Sequence, residues 1–573
     1  MSHSYSIASF GLGLVFVAGS CSLAIGQDAY VEPAGYYSGA TGTGNTLKSQ
    51  LTSAMSAGHI QRSYGDFRNS ASIHDRDPNN PSRIILVYNL ASVPAQWDSG
   101  NTWNREHVWP QSRQPGSASN STRGNLGDPH ALRPANPSIN SSRGNKPFGN
   151  ASTTGNFGSL GTFYFPGDTD KGDIARSLFY SATRYSSTGL TLVNGVPSGN
   201  RMGDLASLVA WHYLDVPGEF ERRRNHAIYS AALNPAFRTN NRNAYVDHPE
   251  FVWSVFVDQM NDSTLWFGDL EPADGASAID VDLGNVLVGD AIDPMGFVLN
   301  KSGAAGTYYR VSASAGVSTD AGTVYDAFAM SGTNLSRTIT VSVDASATDV
   351  AGAFDADIRV DNLDVTTQGG AGNGGNDVDD MIFVSFDVFE GGNGSFEAGS
   401  DVDVLNLDLG TISIGDGDFV QSFSFFHIGT GGAFGAPVDV ELISSVGDTG
   451  ALTTNFVETN SISAGGSASF DAVLDDQNGG AFSATYTFRV WNDRGMFVGV
   501  SSIEEMTLVL SGAVSGGECN ADLNGDGDLN FFDVSAFLSL FSAGDLGVDF
   551  NGDGDLNFFD VSAFLSAYGA GCP

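Results

Sequence analysis

The stretch NTWNREHVWPQSR, residues 101–113, places an acidic residue, Glu106, directly before a histidine, His107, among two tryptophans and a proline. An imidazole of ordinary pKa, about 6.5, is largely neutral at neutral pH and can accept a proton as a general base. An ordinary carboxylate is a weak base but a good hard-oxygen ligand for Mg²⁺. Adjacent residues of an extended segment point in opposite directions, so one of the pair can face a metal ion and the other can face water.

Further segments extend this pattern along the chain. Residues 124–149 read GNLGDPHALRPANPSINSSRGNKPFG. Together with REHVWPQS and four later segments, this stretch resembles the endonuclease I family of secreted DNA and RNA nucleases. The matching segments occur in the same order as in that family and cover nearly all of 28–267. The resemblance implies an α+β nuclease domain with a ββα metal finger. The later segments are GDIARSLFYSATRY (172–185), MGDLASLVAWHYLD (202–215), FERRRNHAIY (220–229) and DHPEFV (247–252).

The resemblance also implies roles for individual residues. Glu106 and Asn140 would hold one divalent metal ion, expected to be Mg²⁺, and His107 would activate water. A guanidinium matches phosphate oxygens in a bidentate way, so Arg143, one helical turn after Asn140, is expected at the same phosphate as a catalytic group. Other expected nucleic-acid contacts are Arg123, Arg133, Arg222, Arg223 and Arg224. For the run 222–224, a solvated basic helix face is the alternative.

Other chemistries fit the front region less well. It has no cysteine, which disfavours a zinc-bound finger, and no G-x-S-x-G segment, which disfavours a serine hydrolase. His130 is expected to be either a support for the site or a structural residue, and His212 and His248 are expected to be structural. The sequence does not separate DNA from RNA as the substrate.

The charge of the chain is unevenly distributed. The 573 residues carry a net charge of −39, yet 28–267 holds 20 of the 26 Lys and Arg and 19 of the 65 Asp and Glu. That region is therefore near +1 and the remainder near −40. A polyanion would be admitted by the front of the chain and repelled by the rest.

The first 26 residues predict a secretory signal. An apolar run ends in small residues, with Ala24 and Gly26 giving a cleavage pattern before Gln27. A single membrane anchor is the alternative. Removal of the signal would take Cys21 with it and leave Cys519 and Cys572, a candidate disulfide in an exported chain. The protein is therefore expected to be secreted or at the cell surface.

The middle of the chain has the sequence pattern that is typical of β-sandwiches. Short alternating runs such as RTITVSVDA, MIFVSFDVF and ATYTFRVW lie between Gly-, Asp- and Asn-rich turns. DVDLGNVLVGD at 280–290 is echoed by NLDLGTISIGD at 406–416. We therefore expect two related sandwich-like domains, at 276–395 and 401–514, after a nuclease domain at 28–267.

The tail, residues 519–573, contains a sharper repeat. NGDGDLNFFDVSAFLS occurs at 524–539 and again at 551–566. Each copy supplies oxygen ligands at positions 1, 3, 5 and 12 of a loop with glycine at position 6, which is the pattern that Ca²⁺ requires. An acidic turn without metal is the alternative. The expected ligands of the two calcium ions are Asp522, Asn524, Asp526, Asp533, Asp549, Asn551, Asp553 and Asp560.

Each calcium loop runs into an apolar helical stripe, and the tail resembles the cysteine-bracketed dockerin-like tails of some exported bacterial proteins. The resemblance implies a small α-helical module with a cohesin-like or cell-surface partner.

Two hypotheses of function follow. The first is a secreted, metal-dependent, largely sequence-nonspecific endonuclease that hydrolyses phosphodiester bonds of DNA, RNA or both. The alternative is a surface adhesion or scaffold protein whose nuclease-like domain is inactive. A decayed enzyme is expected to have lost at least one of Glu106, His107 and Asn140, and all three are present. The sandwich-like domains show no evident chemistry of their own.

Overall fold

A computed structural model describes residues 30–272, 276–321, 324–365, 377–429, 432–516 and 519–571. The predicted signal and Cys572 lie outside these ranges. The chain divides into two compact units. The first contains the front α+β region and most of the first set of β-strands. The second contains the remaining strands and the helical tail.

Seven helices are described in the front region, and the three segments with the clearest apolar spacing are among them. In α1, the buried residues Leu47, Leu51 and Met55 recur every four residues and form one stripe. The segments predicted at 172–185 and 202–215 are helices α4 and α5. The helices are α1 Gly44–Ser56, α2 Phe67–His74, α3 Pro137–Arg143, α4 Lys171–Arg184, α5 Leu205–Leu214, α6 Glu219–Tyr229 and α7 Ala244–Asp247.

The strands of the front region are short. The run SRIILVYNL predicts a strand over 82–90, but the strand ends at Ile85 because Tyr88 and Leu90 take positive φ angles of 74° and 53° and turn the chain. The strands are β1 Arg76–Asp77, β2 Asn80–Ile85, β3 Ser92–Pro94, β4 Asn104–His107, β5 Leu132–Ala135, β6 Gly158–Leu160, β7 Phe163–Phe165, β8 Thr191–Leu192 and β9 Arg201–Met202.

Helix α4 forms the centre of the front region. It is buried along almost its whole length, with Ile174, Leu178 and Phe179 fully inaccessible. The Ser177 hydroxyl on the same helix donates a hydrogen bond to the carbonyl of His130, at 2.8 Å. The central helix thereby anchors the short helical turn that leads into β5.

The first set of strands forms a four-stranded sheet, β10-β12-β16-β14, and a five-stranded sheet, β11-β18-β17-β13-β15. Strand β10 falls within the range expected for the front domain, yet it pairs antiparallel with β12. The core of the front region also includes Tyr308 and Ala327. The strands are β10 Thr264–Phe267, β11 Ala278–Leu287, β12 Met295–Ser302, β13 Thr307–Ala313, β14 Val317–Thr319, β15 Asp326–Phe328, β16 Leu335–Val343, β17 Gly352–Asn362 and β18 Asp380–Phe389.

The second set repeats the division into four and five strands, β19-β21-β25-β23 and β20-β27-β26-β22-β24. The rings of Phe425 and Phe488, one from each sheet, lie 4.8 Å apart, so the two sheets pack face to face. The echoed segments fall on β11 and β20, both edge strands. The strands are β19 Gly394–Ser395, β20 Val404–Ser413, β21 Phe419–His427, β22 Val438–Gly447, β23 Leu452–Thr454, β24 Thr459–Ile462, β25 Ser467–Leu474, β26 Gly480–Asn492 and β27 Ser502–Ser515.

The tail consists of two matching helices, α8 Phe531–Ala543 and α9 Phe558–Ala570. The rings of Phe537 and Phe564, one from each helix, stack 4.1 Å apart at the centre of a small separate core. None of the helices that the structure describes is both long and apolar enough to cross a membrane.

Candidate active site

The stretch that contains Glu106 and His107 is strand β4, which pairs antiparallel with β5 and is followed along the chain by helix α3. The sequence explains where α3 begins and ends. The side chain of Asn136 accepts hydrogen bonds from the first turn, Pro137 occupies the first helical position, and Gly144 follows the helix at a φ of +59°. Two strands and one short helix therefore surround the candidate site.

The two faces of β4 have different neighbours. Asn104 and Glu106 face α3, since they form hydrogen bonds with Asn140 and Arg143 respectively. Arg105 and His107 lie on the opposite face, and the ring of Tyr64 contacts both. The alternation expected of an extended segment therefore separates the acidic side chain from the imidazole.

The surroundings of His107 select one tautomer. Its Nε2 lies 3.0 Å from the backbone carbonyl of Leu126, and a carbonyl can only accept, so Nε2 carries the hydrogen and Nδ1 keeps a free lone pair. The ring also stacks on Tyr64, with 4.8 Å between centroids. Burial lowers the pKa of His107 to about 4, opposed by the Leu126 hydrogen bond and aided by the charges of two arginines. The imidazole is therefore a neutral proton acceptor near pH 7.

Glu106 is almost fully buried, with only 2% of its surface exposed. Its Oε1 accepts hydrogen bonds from the Tyr88 hydroxyl at 2.6 Å and from Nη1 of Arg143 at 3.0 Å. Burial raises the pKa of the carboxyl, while Arg143 and Tyr88 oppose the rise. The second oxygen, Oε2, has no hydrogen-bond partner among the described residues, so it can ligate a cation.

Asn140 contributes a second oxygen on the same side of β4. Its Nδ2 donates to Oδ1 of Asn104 at 2.7 Å, which leaves Oδ1 of Asn140 as an acceptor. Asn140 is one helical turn before Arg143, whose partner is Glu106, so both candidate ligands lie between β4 and α3. Hard oxygen atoms from one carboxylate and one amide fit a magnesium ion that keeps several water ligands.

Tyr88 supports the carboxylate, and the sequence did not identify it. The residue has a φ of +74°, rare for a bulky side chain and typical of a position that its surroundings constrain. Its backbone N–H donates to Asp170 at 2.7 Å, while its hydroxyl donates to Glu106. No local sequence pattern predicts such an angle at a tyrosine.

The structure gives Arg143 a different position from the one expected. The side chain is fully buried, and its guanidinium donates to Glu106 and to the backbone carbonyls of His107 and Val108. The aromatic ring of Phe148 lies 4.5 Å from the guanidinium. Because these neighbours enclose it, Arg143 is placed to hold the end of β4 rather than to face a phosphate.

Arg133 and Arg224 are also buried, contrary to the expectation that they contact nucleic acid. Both pair with Asp75, at 3.4 Å and 2.7 Å, and Arg133 pairs with Asp173 as well. Arg224 donates in addition to the carbonyls of Pro129 and Leu132 on the path into β5. Buried charges that are paired in this way have their counter-charges inside the protein and are not available to a polyanion.

Three of the predicted nucleic-acid contacts remain at least partly accessible. Arg123 is exposed and donates to the carbonyl of Gln61. Arg222 and Arg223 are half-buried, and Arg223 donates to the carbonyl of Arg76. The run 222–224 is therefore split, with its third member inside the protein.

The sequence predicts roles for three other histidines: His130 is expected to support the site or to be structural, and His212 and His248 are expected to be structural. His130 is buried, and its Nε2 lies 3.2 Å from the carbonyl of Asn241. His212 is buried with its Nε2 2.9 Å from the carbonyl of Pro249. His248 contacts the carboxylate of Glu250, which raises its pKa to about 10 against the effect of burial.

In the tail, the predicted calcium ligands converge in two matching loops. Oxygen atoms of Asp522, Asp526 and Asp533 all lie within 4.8 Å of one another, as do those of the second set, Asp549, Asp553 and Asp560. In the first loop, the backbone N–H of Gly527 donates to Asp522, at a φ of +83° that favours glycine.

The two asparagines of the loops, Asn524 and Asn551, donate from their side-chain nitrogens to Asp526 and Asp553, both at 2.9 Å. Cys519 is disulfide-bonded. Cys572, the partner predicted for it, lies outside the described residues, and the pairing stays a prediction.

Comparison with known proteins identifies the family of the front region. Residues 43–250 match the family model described as Endonuclease I. The extracellular ribonuclease of Bacillus subtilis (strain 168) is 38% identical over 249 residues, covering 41% of this chain and 83% of that protein. The chain belongs to the endonuclease I family and is a nuclease.

A second relative gives the same result. The extracellular ribonuclease of Bacillus amyloliquefaciens is 37% identical over 242 residues, which cover 39% of this chain and 78% of that protein. Among solved structures, a G168D mutant of the enterotoxigenic E. coli adhesin CfaE covers 43% of this chain and 100% of its own, at 7% identity and a TM-score of 0.23. A TM-score this low does not establish a shared fold.

Proposed function

We propose that the front region is a secreted, metal-dependent endonuclease that hydrolyses phosphodiester bonds with little sequence preference. The observation that carries the proposal is the fixed tautomer of His107 on strand β4, whose opposite face brings Glu106 next to Asn140 and Arg143 of helix α3. Two relatives named as extracellular ribonucleases support secretion and support RNA as a substrate. The family that the sequence resembles includes DNA nucleases, so we propose DNA as a second substrate.

In this proposal, His107 takes a proton at Nδ1 from the water that attacks phosphorus. The P–O bond to one sugar oxygen breaks as the new bond forms, and that oxygen leaves as a hydroxyl after taking a proton from solvent water. Glu106 and Asn140 would hold Mg²⁺ through their free oxygens. A bound Mg²⁺ would neutralise the negative charge that develops on the phosphate oxygens. The hydrogen bond from His107 to the Leu126 carbonyl keeps the ring oriented while the proton is transferred.

Arg143 acts in this proposal as a positioning residue. Its guanidinium holds Oε1 of Glu106 and two carbonyls at the end of β4, so it fixes the direction of Oε2. The hydroxyl of Tyr88, which lies in the turn between β2 and β3, donates to the same oxygen of Glu106. Together they restrict the rotamer of Glu106, which preorganises a ligand for the cation.

Cleavage in the presence and absence of a chelator tests the proposed function. With Mg²⁺, the protein is expected to cut a linear single-stranded RNA internally and to nick a circular plasmid, since a circle has no ends for an exonuclease. EDTA is expected to abolish both reactions. Activity that persists in EDTA would contradict metal dependence, and the absence of cleavage of either substrate would favour the adhesion or scaffold alternative.

We also propose that the tail is a dockerin-like module that binds two calcium ions. The supporting observation is that each loop brings three carboxylates within 4.8 Å, an arrangement that is electrostatically unfavourable unless a cation lies between them. Asp533 and Asp560 also cap their helices, so metal binding and helix formation share the same side chains. A cohesin-like or cell-surface partner is the role that the resemblance implies for this module.

Calcium is expected to drive folding of the isolated segment 515–573. The segment has a small core, and a bound cation would remove the repulsion among its carboxylates, so binding energy becomes folding energy. Helical circular dichroism should rise on addition of Ca²⁺ and fall on chelation, most clearly under reducing conditions, where no disulfide restrains the chain.

The matched control for the calcium titration is the double variant Asp522→Ala and Asp549→Ala, which removes one ligand from each loop and leaves both helices and their core unchanged. It should require a much higher Ca²⁺ concentration for the same helical signal. A reduced segment whose spectrum is the same with Ca²⁺ and with chelator would contradict the calcium proposal.

A further inference from the structure

Arg105 is a half-buried cation beside His107 without a carboxylate partner among the described residues. Its guanidinium lies 3.6 Å from the ring centroid of Tyr64 and 5.1 Å from that of Trp97. The two aromatic rings hold the planar group in one orientation through cation–π contacts.

The hydrogen bonds of Arg105 leave one edge of the guanidinium unused. Nη1 donates to the carbonyl of Tyr64 at 2.7 Å and to Oδ1 of Asn120 at 3.4 Å. Nε is buried without a hydrogen-bond partner, and Nη2 has none among the described residues. Since the protein encloses Nε, Nη2 is the donor that an anion from outside the chain can reach.

The fully buried arginines of the front region differ from Arg105, which is half-buried, in this respect. Each of them forms an ion pair with an aspartate or a glutamate. Because no described carboxylate neutralises the charge of Arg105, that charge can pair with an anion from outside the chain. The paired arginines are Arg133, Arg143, Arg176, Arg224 and Arg242.

The position of Arg105 indicates which anion that is. Arg105 and His107 lie two residues apart on the same face of β4, a separation of about 7 Å along a strand. Tyr64 contacts both, with its ring stacked on the imidazole and beneath the guanidinium. An anion bound at Nη2 of Arg105 therefore lies next to the proposed general base.

We infer that Arg105 binds a phosphate of the nucleic-acid backbone at or beside the bond that His107 attacks, with Tyr64 and Trp97 as the platform that orients it. The inference rests on the proposed function. In this inference the phosphate ligand is Arg105, which lies on the same strand as the base, and not Arg133, Arg143 or Arg224, which are buried and paired. A phosphate contact carries no sequence information, which agrees with cleavage of little sequence preference.

The test measures binding of a short single-stranded RNA in the presence of Mg²⁺, with His107→Ala as the background so that the RNA stays intact. Arg105→Gln in this background is expected to weaken binding by about ten- to a hundredfold, the range for loss of a charge-assisted hydrogen bond. The slope of log affinity against log salt concentration should become shallower by about 0.7, the value for one phosphate contact on a single strand.

Two further variants make the result specific. Arg105→Lys keeps the charge but loses the planar fork, so its salt slope should stay near that of the parent while its affinity falls. Arg201→Gln removes an exposed arginine of the same region, which donates to Ser198, and should leave both quantities unchanged. Thermal unfolding of each variant is measured alongside, and if Arg105→Gln does not fold, Arg105→Met, which keeps an unbranched stem and removes the charge, takes its place with the same two readouts.

Parental affinity and parental salt slope in a folded Arg105→Gln protein would overturn the inference. This outcome is distinct from failure of the proposed function, in which the protein with His107 intact does not cleave RNA or DNA with Mg²⁺. Reduced affinity with an unchanged salt slope in Arg105→Gln would also overturn the inference, because it would assign Arg105 a role in packing alone.

Discussion

Replacing His107 by alanine is expected to lower kcat for phosphodiester cleavage by about 10²–10⁴-fold, the usual contribution of a general base, with little change in affinity for nucleic acid. The imidazole is neutral at pH 7, and the one hydrogen bond it makes to the described part of the chain uses Nε2. The variant therefore loses a proton acceptor and no phosphate contact. Single-turnover cleavage and binding of the same RNA, measured in parallel, separate the two effects.

A matched control for His107→Ala is His59→Ala, which removes a partly buried histidine that contacts Arg184 in the same region. This control should keep wild-type kcat. If His107→Ala retains more than about a tenth of wild-type turnover, then His107 is not the general base, given the magnitude such a group contributes.

Removing either proposed metal ligand is expected to raise the Mg²⁺ concentration needed for half-maximal cleavage by at least about tenfold, because even supporting residues around a metal change its affinity by that amount. Glu106→Gln and Asn140→Ala are the informative variants. Glutamine keeps the size of the side chain and an oxygen for Tyr88, and it removes the charge that attracts the cation. Part of the activity should return at high Mg²⁺ in both variants, since the base is still present.

Glu106→Ala is a poorer choice, because it removes the acceptor oxygen of Arg143 and Tyr88 together with the charge, and it is expected to destabilise the domain more than glutamine does. Glu219→Gln, which neutralises an exposed carboxylate of helix α6, is the matched control and should leave the Mg²⁺ titration unchanged. Titrations identical to wild type in both ligand variants would exclude Glu106 and Asn140 as metal ligands.

The amino-acid sequence alone predicted the parts of this protein that depend on local spacing. The apolar periods that indicated α1, α4 and α5 are properties of single helices, so they can be read without knowing the neighbours. The order REH likewise places Glu106 and His107 on opposite faces of any extended strand. The two loops of the tail are contiguous in sequence, and their carboxylates converge as their spacing predicted.

Only the tertiary structure decided which arginines face the site. The sequence predicts Arg133, Arg143 and Arg224 as phosphate ligands, but each is buried and paired with a carboxylate. The partner is Asp75 for Arg133 and Arg224, and Glu106 for Arg143. Arg105 differs from them in being half-buried and in lacking a carboxylate partner among the residues that the structure describes. The availability of a charge depends on long-range pairing and burial, and neither is encoded in local spacing.

The support of the site was also invisible in the sequence. Tyr64 and Tyr88 are 43 and 19 residues away from His107 along the chain, yet one stacks on its ring and the other holds the neighbouring carboxylate. The sequence by itself determined the chemical groups, since His107, Glu106 and Asn140 carry them whatever their surroundings. The tertiary structure decided their tautomer, rotamer and charge partners, because these depend on atoms that only folding brings within hydrogen-bond distance.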